Sequence, residues 1–211
     1  MWGQKVELIR RLVAVAAVGL LTGGLSGCYS IKTSGPAPTF AATPDYRYVI
    51  GTGDSVSVMV WRNPELSMGV AVRPDGRLTM PLVEDLPALG RTPTELARDI
   101  EKELSRYVRD PIVTVIVSGA SGPFSEQIRI LGEATSPQAI PYQQDMTILD
   151  VMIRVGGLTD FADGNNTVLI RGAEQGKAYT VRLRDLIKRG DISANIDMKP
   201  GDVLIIPESW Y

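Results

Sequence analysis

The chain predicts a mixed α+β fold, with two small β-rich domains in series behind an N-terminal leader. Three observations carry this. Short runs of alternating apolar residues recur between residues 46 and 207, SVSVMV at 55–60 being the clearest, and read as strands. Helical spacing is confined to a few short segments, and two of these open on Thr with an acid three residues later. The first 27 residues are of a different kind, with Lys5, Arg10 and Arg11 ahead of an unbroken apolar run at 12–21.

That run, if helical, extends about 15 Å, half the hydrocarbon thickness of a bilayer, so it reads as the apolar region of a signal peptide rather than a permanent span. No later segment has the roughly 20 apolar residues a span needs, so no transmembrane segment is expected in the mature chain. Small residues follow the run, and then Cys28, the only cysteine in a chain without histidine. Leu25-Ser26-Gly27-Cys28 resembles the lipobox of bacterial lipoproteins. The resemblance implies recognition of Leu25, Ser26 and Gly27 by the signal peptidase, cleavage between Gly27 and Cys28, and acylation of the Cys28 sulfur. Two or three acyl chains hold a protein stably on a membrane, at about 0.8 kcal/mol per buried CH₂. Tyr29 follows the cysteine where an Asp would signal retention in the inner membrane, which favours the outer membrane. An ordinary secretory signal with an incidental cysteine is the alternative.

Removal of residues 1–27, with Lys5, Arg10, Arg11 and Glu7, takes the net charge from −2 to −4. A mildly acidic chain with no basic tract is a poor partner for nucleic acid. Residues 28–45 are rich in Pro and Thr and read as an extended tether from the lipid, or alternatively as a strap packed on a domain.

The first domain spans 46–118. Gly51, Gly53 and Asp54 form a turn ahead of a strand in which Val56, Val58 and Val60 alternate with Ser55, Ser57 and Met59. Pro74-Asp75-Gly76 between β-rich flanks predicts a hairpin. Thr92-Pro93-Thr94-Glu95 opens a helix with a capping box and Pro at its first position. Its apolar stripe is Leu96, Ala97, Ile100, Leu104 and Tyr107, its solvated face Arg98, Glu101, Glu103 and Arg106, and Asp110-Pro111 ends it. IVTVIVS is the next strand, and residues 119–125 form a linker.

The second domain spans 126–211. IRILGEA is a strand, and Thr147 with Asp150 opens a helix whose apolar face is Ile148, Leu149, Met152 and Ile153 and which Gly156-Gly157 ends. VLIR, AYTVRL and DVLIIP are strands, and LRDLIKRG a short helix. One signal recurs between the domains: Gly51-Thr52-Gly53-Asp54-Ser55-Val56 resembles Lys199-Pro200-Gly201-Asp202-Val203, a Gly-Asp turn that launches a β-branched strand.

Site chemistry is sparse. The absence of His, and of Cys beyond position 28, removes His-based acid–base work, Cys nucleophiles and most zinc sites, and no cofactor or metal is expected. Most of the carboxylates, Asp45, Asp54, Asp75, Glu84, Asp85, Asp160, Asp163 and Asp202, neighbour Gly or Pro as turn residues do, and no pair stands out as a glycosidase couple. Trp61, Tyr142, Trp210 and Tyr211 are the candidate contacts for a saccharide or a partner protein; Tyr107 is more simply a core or interface aromatic.

GTGDSVSVMVWRNPELS, VRPDGRLTMPLV and GRTPTELARDIEKELSRYVRDPIVTVIV resemble the polysaccharide export domain of outer-membrane capsule and exopolysaccharide exporters. Its Trp-x-x-Pro-Glu-Leu, Arg-Pro-Asp-Gly and Asp-Pro-x-Val-x-Val elements occur together. ILGEATSPQAIPY, TILDVMIRVGGLTDFADGNNTVLIR and MKPGDVLIIP resemble the soluble-ligand-binding β-grasp domain (SLBB) that follows it in that family. Pro207-Glu208-Ser209-Trp210-Tyr211 is similar to the ends of exporters linked to exosortase-type surface systems.

The resemblance implies a non-enzymatic, lipid-anchored component at the periplasmic face of the outer membrane. It implies a homo-oligomeric ring that passes polysaccharide, with an inner-membrane polysaccharide co-polymerase as partner. Well-known members end in an amphipathic helix that crosses the outer membrane, and this sequence shows none, so a separate outer-membrane β-barrel is expected to supply the pore. The alternative from another class is a monomeric periplasmic lipoprotein that binds a saccharide or protein as a sensing or scaffolding module.

Overall fold

Val56, Val58 and Val60 face a core while Ser55 and Met59 face solvent, which makes β1 (Ser55–Val60) the amphipathic middle strand of a three-stranded sheet. The computed structural model describes residues 35–36 and 46–210, and the expectations placed on the leader, on most of the tether and on Tyr211 lie outside them. On one side of β1 runs β2 (Met68–Ala71), on the other β5 (Val113–Gly119), both antiparallel to it. Between them comes the hairpin of β3 (Arg77–Met80) and β4 (Val83–Pro87). Arg73 secures its Pro-Asp-Gly turn through ion pairs to Asp75 at 2.7 Å and Asp85 at 2.5 Å.

Helix α1 (Pro93–Leu104) opens as its capping box requires: Thr92 Oγ1 accepts from Glu95 N–H at 3.2 Å, and the Glu95 carboxylate accepts from Thr92 N–H at 2.9 Å. These bonds hold the Glu95 carboxyl below the usual carboxylate range. Leu96, Ala97, Ile100 and Leu104 are buried, and a large apolar side chain so buried contributes about 1.5–3 kcal/mol. The helix stops at Leu104 rather than running to Asp110, and Tyr107 is 64 % exposed. Two N–H groups, of Tyr107 and Val108, converge on the Leu104 carbonyl and turn the chain, so Val108 takes the stripe position against the core.

The second domain is one five-stranded mixed sheet. Its strands are β6 (Ile128–Gly132), β7 (Ala139–Ile140), β8 (Thr167–Arg171), β9 (Lys177–Val181) and β10 (Val203–Ile206), in spatial order β7-β6-β10-β8-β9. Its first and last strands, β6 and β10, lie parallel at the centre, and every other pairing is antiparallel, which is the β-grasp arrangement. Helix α2 (Ile148–Arg154) fills the grasp with Ile148, Val151 and Met152, continued by Val155 beyond its end. Ile153, expected on this face, is 70 % exposed, because the stripe at 148, 151, 152 and 155 leaves position 153 on the far side. Asp150 accepts from both the N–H and the hydroxyl of Thr147, which lowers its pKa. Helix α3 (Leu183–Arg189) buries Leu183 and Leu186 in the same core.

Gly35 and Pro36, in the stretch read as a tether, lie along the outer edge of β9: Pro36 is bridged in parallel to Thr180, whose N–H donates to the Gly35 carbonyl at 3.1 Å. These two residues act as a strap on the second domain. Among the described residues no helix is long and apolar enough to cross a membrane.

Candidate functional site

The recurring Gly-Asp turns close in the same way. Gly51 N–H donates to Asp54 Oδ2 at 2.8 Å, and Lys199 N–H donates to Asp202 Oδ2 at 2.9 Å. The glycine before each Asp, Gly53 at φ 83° and Gly201 at φ 80°, takes the left-handed conformation that the turn needs. Both aspartates are fully buried. Both turns also pack on the linker between the domains. A Cβ on Gly51 would overlap the Gly122 backbone, and one on Gly201 would overlap the Ser125 carbonyl.

Asp54 holds the linker directly. Its Oδ1 accepts from Ser121 N–H at 2.7 Å and Gly122 N–H at 3.0 Å, and Tyr48 donates its hydroxyl to Oδ2. Burial, and then donation to this carboxylate, push the Tyr48 phenol well above its ordinary range. Asp202 faces a charge instead. Arg171, also fully buried, reaches its Oδ2 at 3.4 Å and donates to the Asp197 carbonyl at 3.1 Å. Asp202 Oδ1 and Arg171 Nε make no hydrogen bond among the described residues, and Nε lies 3.9 Å from the Glu174 carboxylate. Burial pushes the Asp202 carboxyl up to about 6, against the opposing effects of the Lys199 N–H and Arg171.

The entering chain staples the two domains from a third side. Tyr48 packs on the first core, and Tyr46, two residues earlier, on the second. Tyr46 donates to Glu126 Oε2 at 2.9 Å and meets the Tyr142 ring edge-on at 4.9 Å and 80°. Burial, followed by the bond to Glu126, raises its phenol. Tyr142 is thereby a junction residue. It is 6 % exposed, and its buried ring offers no face to a saccharide, contrary to the expectation from sequence. Tyr46, Tyr48 and the linker amides escaped the sequence reading; the recurrence of Gly-Asp on either side of the linker was the signal that pointed to them.

Trp61 does stand open. Residues 60–63 form a tight turn closed by Asn63 N–H to the Val60 carbonyl at 3.1 Å, with Arg62 in the left-handed region at φ 63°. The Asn63 amide fixes the Trp61 carbonyl at 3.1 Å, and the indole, 66 % exposed, borders a cavity of about 440 Å³ lined also by Met59, Arg62, Pro64 and Ile112. Trp210 is 92 % exposed. Its segment runs antiparallel to residues 161–163, through an Ala162–Glu208 bridge and Ser209 N–H to the Phe161 carbonyl at 2.7 Å, which sets Trp210 close to a second exposed aromatic, Phe161. Trp61 and Trp210 belong to different domains. Cys28, Leu25, Ser26, Gly27 and Tyr211 lie outside the described residues.

Of the carboxylates, Asp75 and Asp85 are paired with Arg73, while Asp54 and Asp202 are turn residues. Among the described residues no cluster of acids, His or Cys is placed to hold a metal ion. The arrangement joins the two domains through the Asp54 hydrogen bonds to the linker and the Tyr46–Tyr142 contact, and presents exposed apolar surface.

Residues 42–118 match the family of polysaccharide biosynthesis/export proteins, and residues 126–206 match the SLBB domain. The chain is 29 % identical over 197 residues to the EPS I polysaccharide export outer membrane protein EpsA of Ralstonia nicotianae, across 81 % of this chain and 49 % of that protein. It is 27 % identical to the exopolysaccharide production protein ExoF of Rhizobium meliloti, across 81 % of this chain and 42 % of that one. It is 21 % identical to the capsule polysaccharide export protein BexD of Haemophilus influenzae, across 95 % and 64 %. The chain spans about half the length of the first two of these relatives. With an export domain and an SLBB domain in series, and relatives of these kinds, the chain belongs to the polysaccharide export protein family.

Proposed function

We propose that this protein is a non-catalytic component for export of capsular polysaccharide or exopolysaccharide, held by lipid on Cys28 at the periplasmic face of the outer membrane and assembled as a homo-oligomeric ring. The observation that carries this reading is the clamped junction. Asp54 binds two linker amides while both Gly-Asp turns press on the linker backbone, so the export and SLBB domains form one stiff building block, as stacked tiers of a ring require. The reading includes two partners, an outer-membrane β-barrel that supplies the pore and an inner-membrane polysaccharide co-polymerase. Crosslinking and copurification from whole cells test for both.

Deletion of the gene is expected to stop surface polymer while the lipid-linked precursor is still made. Complementation by Cys28→Ser should fail, and that variant should take up no palmitate analogue. Label on it equal to the unsubstituted chain overturns the anchor, and surface polymer in the deletion strain overturns the export role. Purified protein is expected to cleave or transfer no sugar. A second reading, a monomeric saccharide-binding lipoprotein, is favoured by the open cavity beside Trp61. Mass in mild detergent separates the two, since a ring runs at several times the mass of one processed chain.

A further inference from the structure

The three-stranded sheet of the first domain is open at both edges. β5 pairs with β1 on one side only, and the direction of its other backbone groups is fixed by Val113. The Val113 N–H goes to Glu101 Oε1 at 2.9 Å, and its carbonyl accepts from Arg98 Nη2 at 3.3 Å, both on α1. The helix closes the edge at Val113. Val115 and Val117 share that orientation, and among the described residues nothing pairs with their outward N–H and C=O groups. At the opposite edge, Val72 exchanges bonds with the 53–54 turn at 2.8 and 3.0 Å, so Val70 and Met68 turn toward β1 while Gly69 and Ala71 turn outward.

Beyond Val113 the open stretches carry no blocking side chain of their own. β5 reads VTVIVSG and β2 MGVA, with no charge and no proline, two of the devices by which exposed edges are ordinarily blunted. A one-residue bulge twists β5 only near its end, where Ser55 faces Gly119. On the core side Val70, Val115 and Val117 are only partly covered, as strands lacking a neighbour would be.

We infer that a second copy of this chain docks here, with β5 of one protomer beside β2 of the next. Both strands are antiparallel to β1 and so run in the same direction. A rotation that carries one copy onto the next then sets β5 and β2 as parallel neighbours, with two outward residues on each strand. The contact is heterologous, and where its rotation closes it repeats around a ring and leaves no edge open. A β5-to-β5 contact would stop at two copies and leave β2 exposed. The inference rests on the ring reading above and names its interface.

The test uses the full-length lipidated protein in mild detergent. Val115→Pro removes an outward N–H at an edge, where proline is tolerated, without breaking the ladder to β1. Gly69→Cys with Ile116→Cys places two thiols on the same solvent face; Gly69 has open space for a side chain, and Ile116 is 48 % exposed. The expected results are a fall to one-chain mass for Val115→Pro with an unchanged circular dichroism spectrum, and a ladder of crosslinked chains for the double cysteine variant. The unsubstituted chain, whose only cysteine is Cys28, sets the crosslinking background. Should Val115→Pro fail to fold, the ladder decides. A ring-sized mass with no ladder overturns the β5–β2 contact and leaves the ring reading standing. Dimers alone from Ile116→Cys assign the edge to a β5–β5 pair and also overturn it. One-chain mass for the unsubstituted protein removes both.

Discussion

Asp54 and Asp202 end turns of the same construction, each accepting the N–H three residues back, at 2.8 and 2.9 Å, and each fully buried. Their remaining contacts differ. Asp54 spends its other oxygen on two neutral amides of the linker and takes a phenol as well, so its charge is spread over four donors. Asp202 meets a buried guanidinium and keeps one oxygen unpartnered. The same local motif thus serves two ends. In the first domain it grips the connection to its neighbour through hydrogen bonds; in the second it ties the end of β8 to the start of β10 through charge. A carboxylate met by several N–H groups needs no counterion, which is why only the second turn carries a buried Arg.

The largest expected effect is at the first turn. Asp54→Ala leaves Gly51, Ser121 and Tyr48 without their acceptor, Gly122 N–H keeping only the Tyr48 hydroxyl at 3.2 Å, and since each buried orphan costs about 1–3 kcal/mol, the loss should exceed about 3 kcal/mol. Urea unfolding measures it; a loss under 1 kcal/mol would mean that the clamp is not structural. Asp202→Ala strands Arg171 in the second core and should cost about 3 kcal/mol, within the usual range for breaking a buried pair from one side. Its signature differs, because the first domain should keep its own cooperative melt.

The comparison sharpens with pH. Asp202 titrates at about 6 in the fold and at 3.8 unfolded, so the native state holds the extra proton between those values. Its contribution is therefore fully present below about pH 4 and is lost as pH rises through 6. Glu95, Asp150, Glu174 and Asp191 are shifted downward and act in the opposite sense, losing stability as pH falls. The difference between the pH–stability curves of the unsubstituted chain and Asp202→Asn isolates the first effect, which should decline from pH 4 to 6. A flat difference curve would contradict the assignment. The smallest effect is at Trp61, where Trp61→Ala should change stability by no more than about 0.5 kcal/mol, because the indole is 66 % exposed, while lowering surface polymer in complementation. A large thermal shift would place Trp61 in the core account instead.

Local chemistry was legible in advance. Thr92-Pro93-Thr94-Glu95 marked the start of α1, the alternation at Ser55–Val60 marked β1, and the two Gly-Asp turns could be read as a pair. What was not legible depends on chain segments meeting across the fold. Tyr142 looked like a surface aromatic until Tyr46 arrived from nearly a hundred residues earlier to cover it. Tyr107 and Ile153 fitted helical stripes on spacing alone, but α1 turned off at Leu104 and α2 rolled its stripe toward Val151 and Val155. The strap at Gly35–Pro36 finds its partner, Thr180, at the far end of the sequence. The exposed β5 and β2 edges follow from strand order, which no single strand pattern encodes.

The central claim is that the linker is a clamped joint, and the amides of Ser121 and Gly122 report on it directly. Both donate to the buried Asp54 carboxylate, at 2.7 and 3.0 Å. Native-state hydrogen exchange should find these two amides protected nearly as well as the core strand β1, exchanging only as the first domain unfolds. Exchange at the rate of an open loop, with β1 still protected, would show that the two domains move independently and would remove the stiff building block on which the ring reading stands.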